Sequence, residues 1–237
     1  MTNVKSNAQI VNIPDANFKK ALINKGYDLN KDGEIQESEA LRVKTIKLTT
    51  DFNDASENGI DNRIISLEGI ASMKNLTELD CSGNKLTSLD VSKNVQLTSL
   101  DCSNNYIDHL DLSSNISLTE LICSYNKLTS LNISKCPNLT SIDCLSNKLT
   151  SLDVSANKEL EIFYCGQNQL TSIDVSKNDK LSDFSCSNNQ LTSLDISNNK
   201  NIFLLLCTNN KLTKIYVAEN TKTLNFKKDP AAVWVKK

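Results

Sequence analysis

A stretch of twelve residues near the N-terminus, DLNKDGEIQESE from Asp28 to Glu39, holds the densest metal-binding chemistry in the chain. Asp28, Asn30 and Asp32 alternate, Gly33 follows, and Glu39 closes the run. Alternating oxygen side chains, a glycine at the sharp turn and a terminal bidentate carboxylate are what calcium requires. Glu34 would contribute its backbone carbonyl, and Gln36 would act directly or through water. The predicted calcium ligands are Asp28, Asn30, Asp32, Glu34 and Glu39, with a structural role in pinning the loop. A metal-free loop that keeps only the turn is the alternative. A regulatory switch usually pairs two such loops, and only one is present.

The remaining reactive residue types are sparse or regularly spaced. Seven of the eight cysteines (Cys81, Cys102, Cys123, Cys144, Cys165, Cys186 and Cys207) recur every 21 residues. One column of thiols, one per repeat, is predicted to lie inside a stack, where a free thiol behaves as a small hydrophobe. Disulfides are disfavoured by the geometry of neighbouring parallel strands. A thiolate metal column is disfavoured because tetrahedral ligands must converge from different directions. Asp90, Asp111, Asp153, Asp174 and Asp195, with Asn132, form another column, each followed two residues later by Ser. Local turn bonding to backbone N–H accounts for that pattern better than a row of ions. His109 is the only imidazole. It makes no Ser-His-Asp or Cys-His set, so the chain is expected not to be an enzyme.

The element that positions these residues is a 21-residue unit repeated seven times between Leu76 and Lys222, restarting at Leu97, Leu118, Leu139, Leu160, Leu181 and Ile202. Fixed-period self-similarity of this kind defines a solenoid. Each first half reads L-x-x-L-x-C-x-x-N-x-L, as in Leu79, Cys81 and Asn84, and its two-residue alternation is that of a strand buried on one face. The second half nearly copies it, and its own Asn column contains Cys136 in one slot. The first half resembles the asparagine ladder of leucine-rich repeats. The nested 21-residue pattern over 76–222 resembles the IRREKO class of bacterial leucine-rich repeats. That resemblance implies an α/β solenoid, mostly β: a right-handed stack of seven coils with strands on the concave side and a small helical N-terminal cap. The cap, with its EF-hand-like loop, is similar to the cap domains of internalins.

The expected organisation is a disordered or extended N-terminus over 1–12, the cap and an imperfect first coil over 13–75, seven repeats over 76–222 and a C-terminal cap over 223–237. Pro14-Asp15 opens a helix with Phe18, Ala21, Leu22 and Ile23 on its apolar side. Val43, Ile46 and Leu48 read as an incipient repeat strand, and residues 49–63 as a polar insertion. Leu224, Phe226, Val233, Trp234 and Val235 read as a lid over the last coil; stacking of Trp234 on a ligand is the alternative.

A net charge of −2 with both signs interspersed does not indicate a nucleic-acid partner. No apolar run reaches membrane-spanning length, so membrane insertion by this segment is not expected. The start, MTNVKSNAQ, lacks the apolar core of a signal peptide. The resemblance nevertheless implies an extracellular or cell-surface location, with the cytoplasm as the alternative. On the strand face the early coils are acidic and hydroxylated, and the later ones apolar. The predicted ligand-facing residues are Ile122, Tyr125, Leu145, Ile162 and Tyr164. The expected function is a non-enzymatic module of a bacterial surface or secreted protein, binding a protein or glycan partner on its concave face. A structural spacer or self-associating stalk is the alternative, favoured by the uniform convex half.

Overall fold

The computed structural model describes residues 9–49, 61–219 and 225–237. Most of the expected polar insertion, together with Leu224 and Asn220, lies outside these residues.

Alternation of apolar and polar residues makes each first half a short strand. Among the described residues nine of these stack in parallel: β1 Thr45–Lys47, β2 Glu78–Asp80, β3 Ser99–Asp101, β4 Glu120–Ile122, β5 Ser141–Asp143, β6 Ile162–Tyr164, β7 Asp183–Ser185, β9 Leu204–Cys207 and β11 Asn225–Lys228. A second, three-stranded parallel sheet forms late in the other half of the coil, from β8 Ser193–Asp195, β10 Lys214–Val217 and β12 Val233–Lys236. Registers are exact across the main sheet: Leu79, Leu100, Leu121, Ile142, Phe163, Phe184 and Leu205 form one inward column. Each strand therefore buries its central residue and turns its flanking residues outward. The architecture is a mostly β solenoid with two short helices at its N-terminal end.

The interior is continuous. All eight cysteines are free and buried. Burial pushes the Cys102 thiol up to about 12 and Cys136 to about 11, so neither carries meaningful thiolate near neutrality. Phe163 and Phe184 stack within the core, ring centroids 5.5 Å apart.

Two asparagine ladders tie successive coils together. In the first, Asn147 Nδ2 donates to the carbonyls of Cys123 and Cys144 at 3.0 and 3.2 Å, and its Oδ1 accepts from Leu128 N at 3.0 Å. An amide can do both, which an aspartate or lysine cannot. In the second ladder Asn157 Nδ2 donates to Ile133 and Cys136 carbonyls, but its Oδ1 is buried without a partner. Cys136 fills its slot through its thiol, which lies 3.6 and 3.5 Å from the carbonyls of Leu112 and Asn115.

The N-terminal cap closes the first coil. Helix α1, Ala16–Asn24, buries Phe18 and Leu22 completely. Asp15 caps it, accepting from Asn17 N and Phe18 N, while its other oxygen accepts from Ile65 N and Ser66 N. One buried carboxylate thus joins the helix to the first coil. Gly69, at φ 103, sits under the incoming N-terminal segment; a Cβ there would lie 2.7 Å from the Asn12 carbonyl oxygen.

The C-terminal segment breaks the sequence pattern, yet its backbone stays in step with the stack. Asn225–Lys228 pairs with β9, and Val233–Lys236 pairs with β10. Asp229 stands where the next ladder residue would fall, accepting from Asn210 N and Leu212 N. Trp234 packs edge-on against Phe226 at 5.0 Å, and both belong to this added coil.

Candidate binding face and cap loop

The outward positions of the main sheet form columns fixed by the strand register. One runs Asp80, Asp101, Ile122, Asp143, Tyr164, Ser185, Leu206; the other runs Glu78, Ser99, Glu120, Ser141, Ile162, Asp183, Leu204. No described helix or strand packs across this face. Ile122, Ile162, Tyr164, Leu204 and Leu206 are half-buried between their neighbours, with their outer surfaces open. Phe203, beside them, is 62% exposed, so the described part of the C-terminal segment, 225–237, leaves it uncovered.

The five residues expected to face a ligand are not equivalent. Ile122 and Tyr164 share a column, separated by Asp143, and Ile162 flanks Tyr164 on the same strand. Leu145 lies two positions past its strand, with its methyl 3.5 Å from where a Cβ on Gly166 would stand. Tyr125 belongs to a third set: it is 49% exposed and has left-handed backbone, φ 55. Asn104, Ser146, Gln167, Asn188 and Asn209 share that conformation, and Gly83 occupies the equivalent position in the first repeat. All but Asn209 send their N–H to the next coil, as Tyr125 N does to the Leu145 carbonyl at 2.9 Å. That bond and the coil register hold a conformation costing about 1–2 kcal/mol for a residue with a Cβ. The sequence concealed this column because only one of its members is glycine.

Two aspartate columns share one local motif and differ in surroundings. On the strand face, Asp101 Oδ1 accepts from Ser103 N and Asp143 Oδ1 from Leu145 N. Burial raises the Asp101 carboxyl, and Asp80 and Asp143 push it further. On the opposite half, Asp90, Asp111, Asp153 and Asp174 accept from the serine N–H two residues on, at 2.8–2.9 Å. Hydrogen bonds from that serine lower all four. The turn bonding expected from the sequence is present in every member, Asn132 included. His109 is exposed on this half, far in character from the buried thiols.

The cap loop has the hydrogen-bond skeleton of the expected motif. Asp28 Oδ1 accepts from Lys31 N and Asp32 N, and its Oδ2 from Gly33 N. Gly33 supplies the left-handed turn, φ 85. Asn30 Oδ1 accepts from Asp32 N, and the Glu34 side chain pairs with Lys19 at 2.7 Å, leaving only its backbone for an ion. Beyond that, the loop is closed on itself. Asp32 holds Gln36 Nε2 with both oxygens, and Glu39 accepts from Leu29 N and Gln36 N. Among the described residues no three His, Cys, Asp or Glu side chains converge to hold a metal ion. The donor set is the hard-oxygen set calcium takes, but the oxygens of Asp32 and Glu39 face amide donors. Where a second loop would normally pair, residues 9–11 do so: Val11 N donates to the Ile35 carbonyl and Glu37 N to that of Gln9, both at 2.8 Å.

Stacked strands, laddered asparagines and an uncovered varied face define a leucine-rich-repeat solenoid, a fold used as a scaffold for protein interaction. The family model Leucine Rich repeats (2 copies) matches residues 116–157. Among solved structures, the functional domain of InlJ from Listeria monocytogenes, described as including a cysteine ladder, is 25% identical with a TM-score of 0.52; the match covers 94% of this chain and 62% of that one. A leucine-rich-repeat protein of Leptospira interrogans is 23% identical with a TM-score of 0.66, covering 75% of this chain and 46% of that one. The ectodomain of the plant membrane receptor kinase GASSHO1/SCHENGEN3 from Arabidopsis thaliana, in complex with Casparian strip integrity factor 2, is 20% identical with a TM-score of 0.56, covering 69% and 23%. The chain thus spans less than two thirds of each of these proteins. No curated protein matches it in sequence. Among the described residues no helix is long and apolar enough to cross a membrane.

Proposed function

We propose that the chain is a non-enzymatic binding module of a bacterial surface or secreted protein and that it holds a protein partner on its strand face. The observation that carries this reading is the contrast between an unchanging interior and a varied exterior on one sheet. The inward columns repeat Leu and Cys, while the outward columns pass from carboxylates to Ile162, Tyr164, Leu204 and Leu206 without a covering helix or strand among the described residues. A half-exposed apolar patch of this kind marks an interaction site. The likeness to InlJ from Listeria monocytogenes, over 94% of this chain, supports the bacterial setting, and the GASSHO1/SCHENGEN3 complex is an instance of another factor bound to this fold. The test is affinity capture with the full chain and with Ile162→Asp plus Tyr164→Asp. The variant is expected to melt as the parent does and to lose the partner; the same partners held by both would contradict the assignment.

For the cap loop we propose a calcium-responsive turn. Calcium binding requires Gln36 Nε2 to release Asp32, and Leu29 N and Gln36 N to release Glu39, so the loop keeps its shape without the ion and gains stability with it. Melting in excess calcium is expected at a higher temperature than melting in chelator, and Asp32→Ala is expected to remove the difference. Identical curves for the parent in both conditions would contradict the proposal.

A further inference from the structure

The outward positions of the main-sheet strands β2 to β7 and β9 carry Glu78, Asp80, Asp101, Glu120, Asp143 and Asp183, and no lysine or arginine. Cations of this sheet stand only at its ends: Lys47 on β1, which pairs with Glu78 at 3.1 Å, and Lys227 and Lys228 on β11. Among the described residues no ion pair reaches Asp80, Asp101 or Asp143. Each of these spends Oδ1 on a backbone N–H two residues on. All three are only partly exposed, on a sheet surface with no counter-charge beside them among the described residues. The same column then continues through Tyr164 to Leu206. Acidic and apolar zones therefore lie in one line along the stack.

Resting on the strand-face reading above, we infer that the partner presents an extended cationic segment followed by apolar side chains, laid along the stack axis across the strands. The spacing suits this. Asp80 to Asp143 is three rungs, roughly 14 Å at about 4.8 Å per rung. Side chains on one face of an extended peptide recur about every 7 Å, so alternate lysines or arginines place three cations over that interval. The next residues on that face then reach Tyr164 and Leu206. A cation over Asp80, Asp101 and Asp143 relieves their mutual repulsion and replaces the water that the sheet partly excludes. An acidic partner would meet six carboxylates, and a wholly apolar one would bury three of them unpaired.

The experiment titrates the full chain with three dye-labelled synthetic peptides. The first has lysine at alternate positions of its first half and leucine and phenylalanine at alternate positions of its second. The second replaces lysine by glutamate, and the third replaces the apolar residues by serine. The first is expected to bind most tightly, and a tenfold rise in salt is expected to weaken it by about tenfold or more. Asp101→Asn with Asp143→Asn is expected to weaken it about tenfold, whereas Asp111→Asn with Asp153→Asn on the opposite half leaves it unchanged. No binding by the first peptide, equal binding by the glutamate peptide, or indifference to the Asp101/Asp143 pair overturns the inference. If the glutamate peptide binds the parent and is lost with Ile162→Asp plus Tyr164→Asp, the strand face still binds and only the partner's chemistry is wrong. If peptides bind that variant and the parent alike, the strand-face reading itself fails.

Discussion

The two halves of each coil are near copies in sequence and opposites in use. Both carry an apolar triplet and a ladder asparagine, and the local-turn aspartate that recurs through the second half stands in the strand half only at Asp80, Asp101 and Asp143. In the strand half the asparagine is satisfied on both its oxygen and its nitrogen; in the other half five asparagine oxygens, Asn94, Asn115, Asn157, Asn178 and Asn199, are buried unpaired. In the strand half burial raises Asp101, while in the other half serine N–H groups lower Asp90, Asp111, Asp153 and Asp174. The difference teaches where selection for shape ends and room for recognition begins. A fully bonded ladder fixes the strand register, and outward side chains on that rigid sheet are then free to vary. The other half keeps its exterior uniform and tolerates an imperfect interior.

Removing one ladder residue from each half breaks the comparison most severely. Asn147→Ala strands Leu128 N, while the Cys123 and Cys144 carbonyls keep Asn126 Nδ2 and Asn168 Nδ2 as donors, and is expected to cost about 2–3 kcal/mol, read from chemical unfolding. Asn157→Ala loses its donors but also removes an orphaned oxygen, so a smaller cost of about 1–2 kcal/mol is expected. Equal costs would mean that a donor reaches the oxygens of the second ladder. Tyr125→Gly relieves a left-handed residue and is expected to stabilise the fold by up to about 1 kcal/mol, while weakening any partner that uses its ring.

Acid titration sharpens the contrast at the smallest scale. Asp101 is held above its unfolded value, so its charge disfavours the fold as pH rises through that raised value. Asp111 is held below its own, so its contribution is present at neutrality and is lost as pH falls through the lowered value. Site-resolved NMR is expected to show Asp101 protonating first on acidification. Asp101→Asn is expected to raise the melting temperature at neutral pH, with the gain vanishing in acid; Asp111→Asn is expected to lower it at neutral pH.

The columns were legible because every repeat position restates the same environment seven times. Buried thiols at Cys81 through Cys207, the Asn84 ladder, the turn bonds of Asp90 and its equivalents, and the place of Cys136 all follow from period alone. What escaped the sequence depends on single long-range meetings. Asp15 bonds Ile65 and Ser66 across the cap, Asp229 takes a ladder place after a shortened spacing, and Gly69 is needed because Asn12 passes over it. Periodicity cannot show these, since each occurs once. In the cap loop the turn at Gly33 was legible, but the amide donors that close Asp32 and Glu39 were not.

The most direct measurement is the affinity of the lysine–apolar peptide for two variants of matched chemistry, one per half: Asp101→Asn with Asp143→Asn, and Asp111→Asn with Asp153→Asn. A loss of about tenfold in the first pair and none in the second is the result expected if the strand half alone recognises a partner. Equal losses, or a loss confined to the second pair, would contradict it.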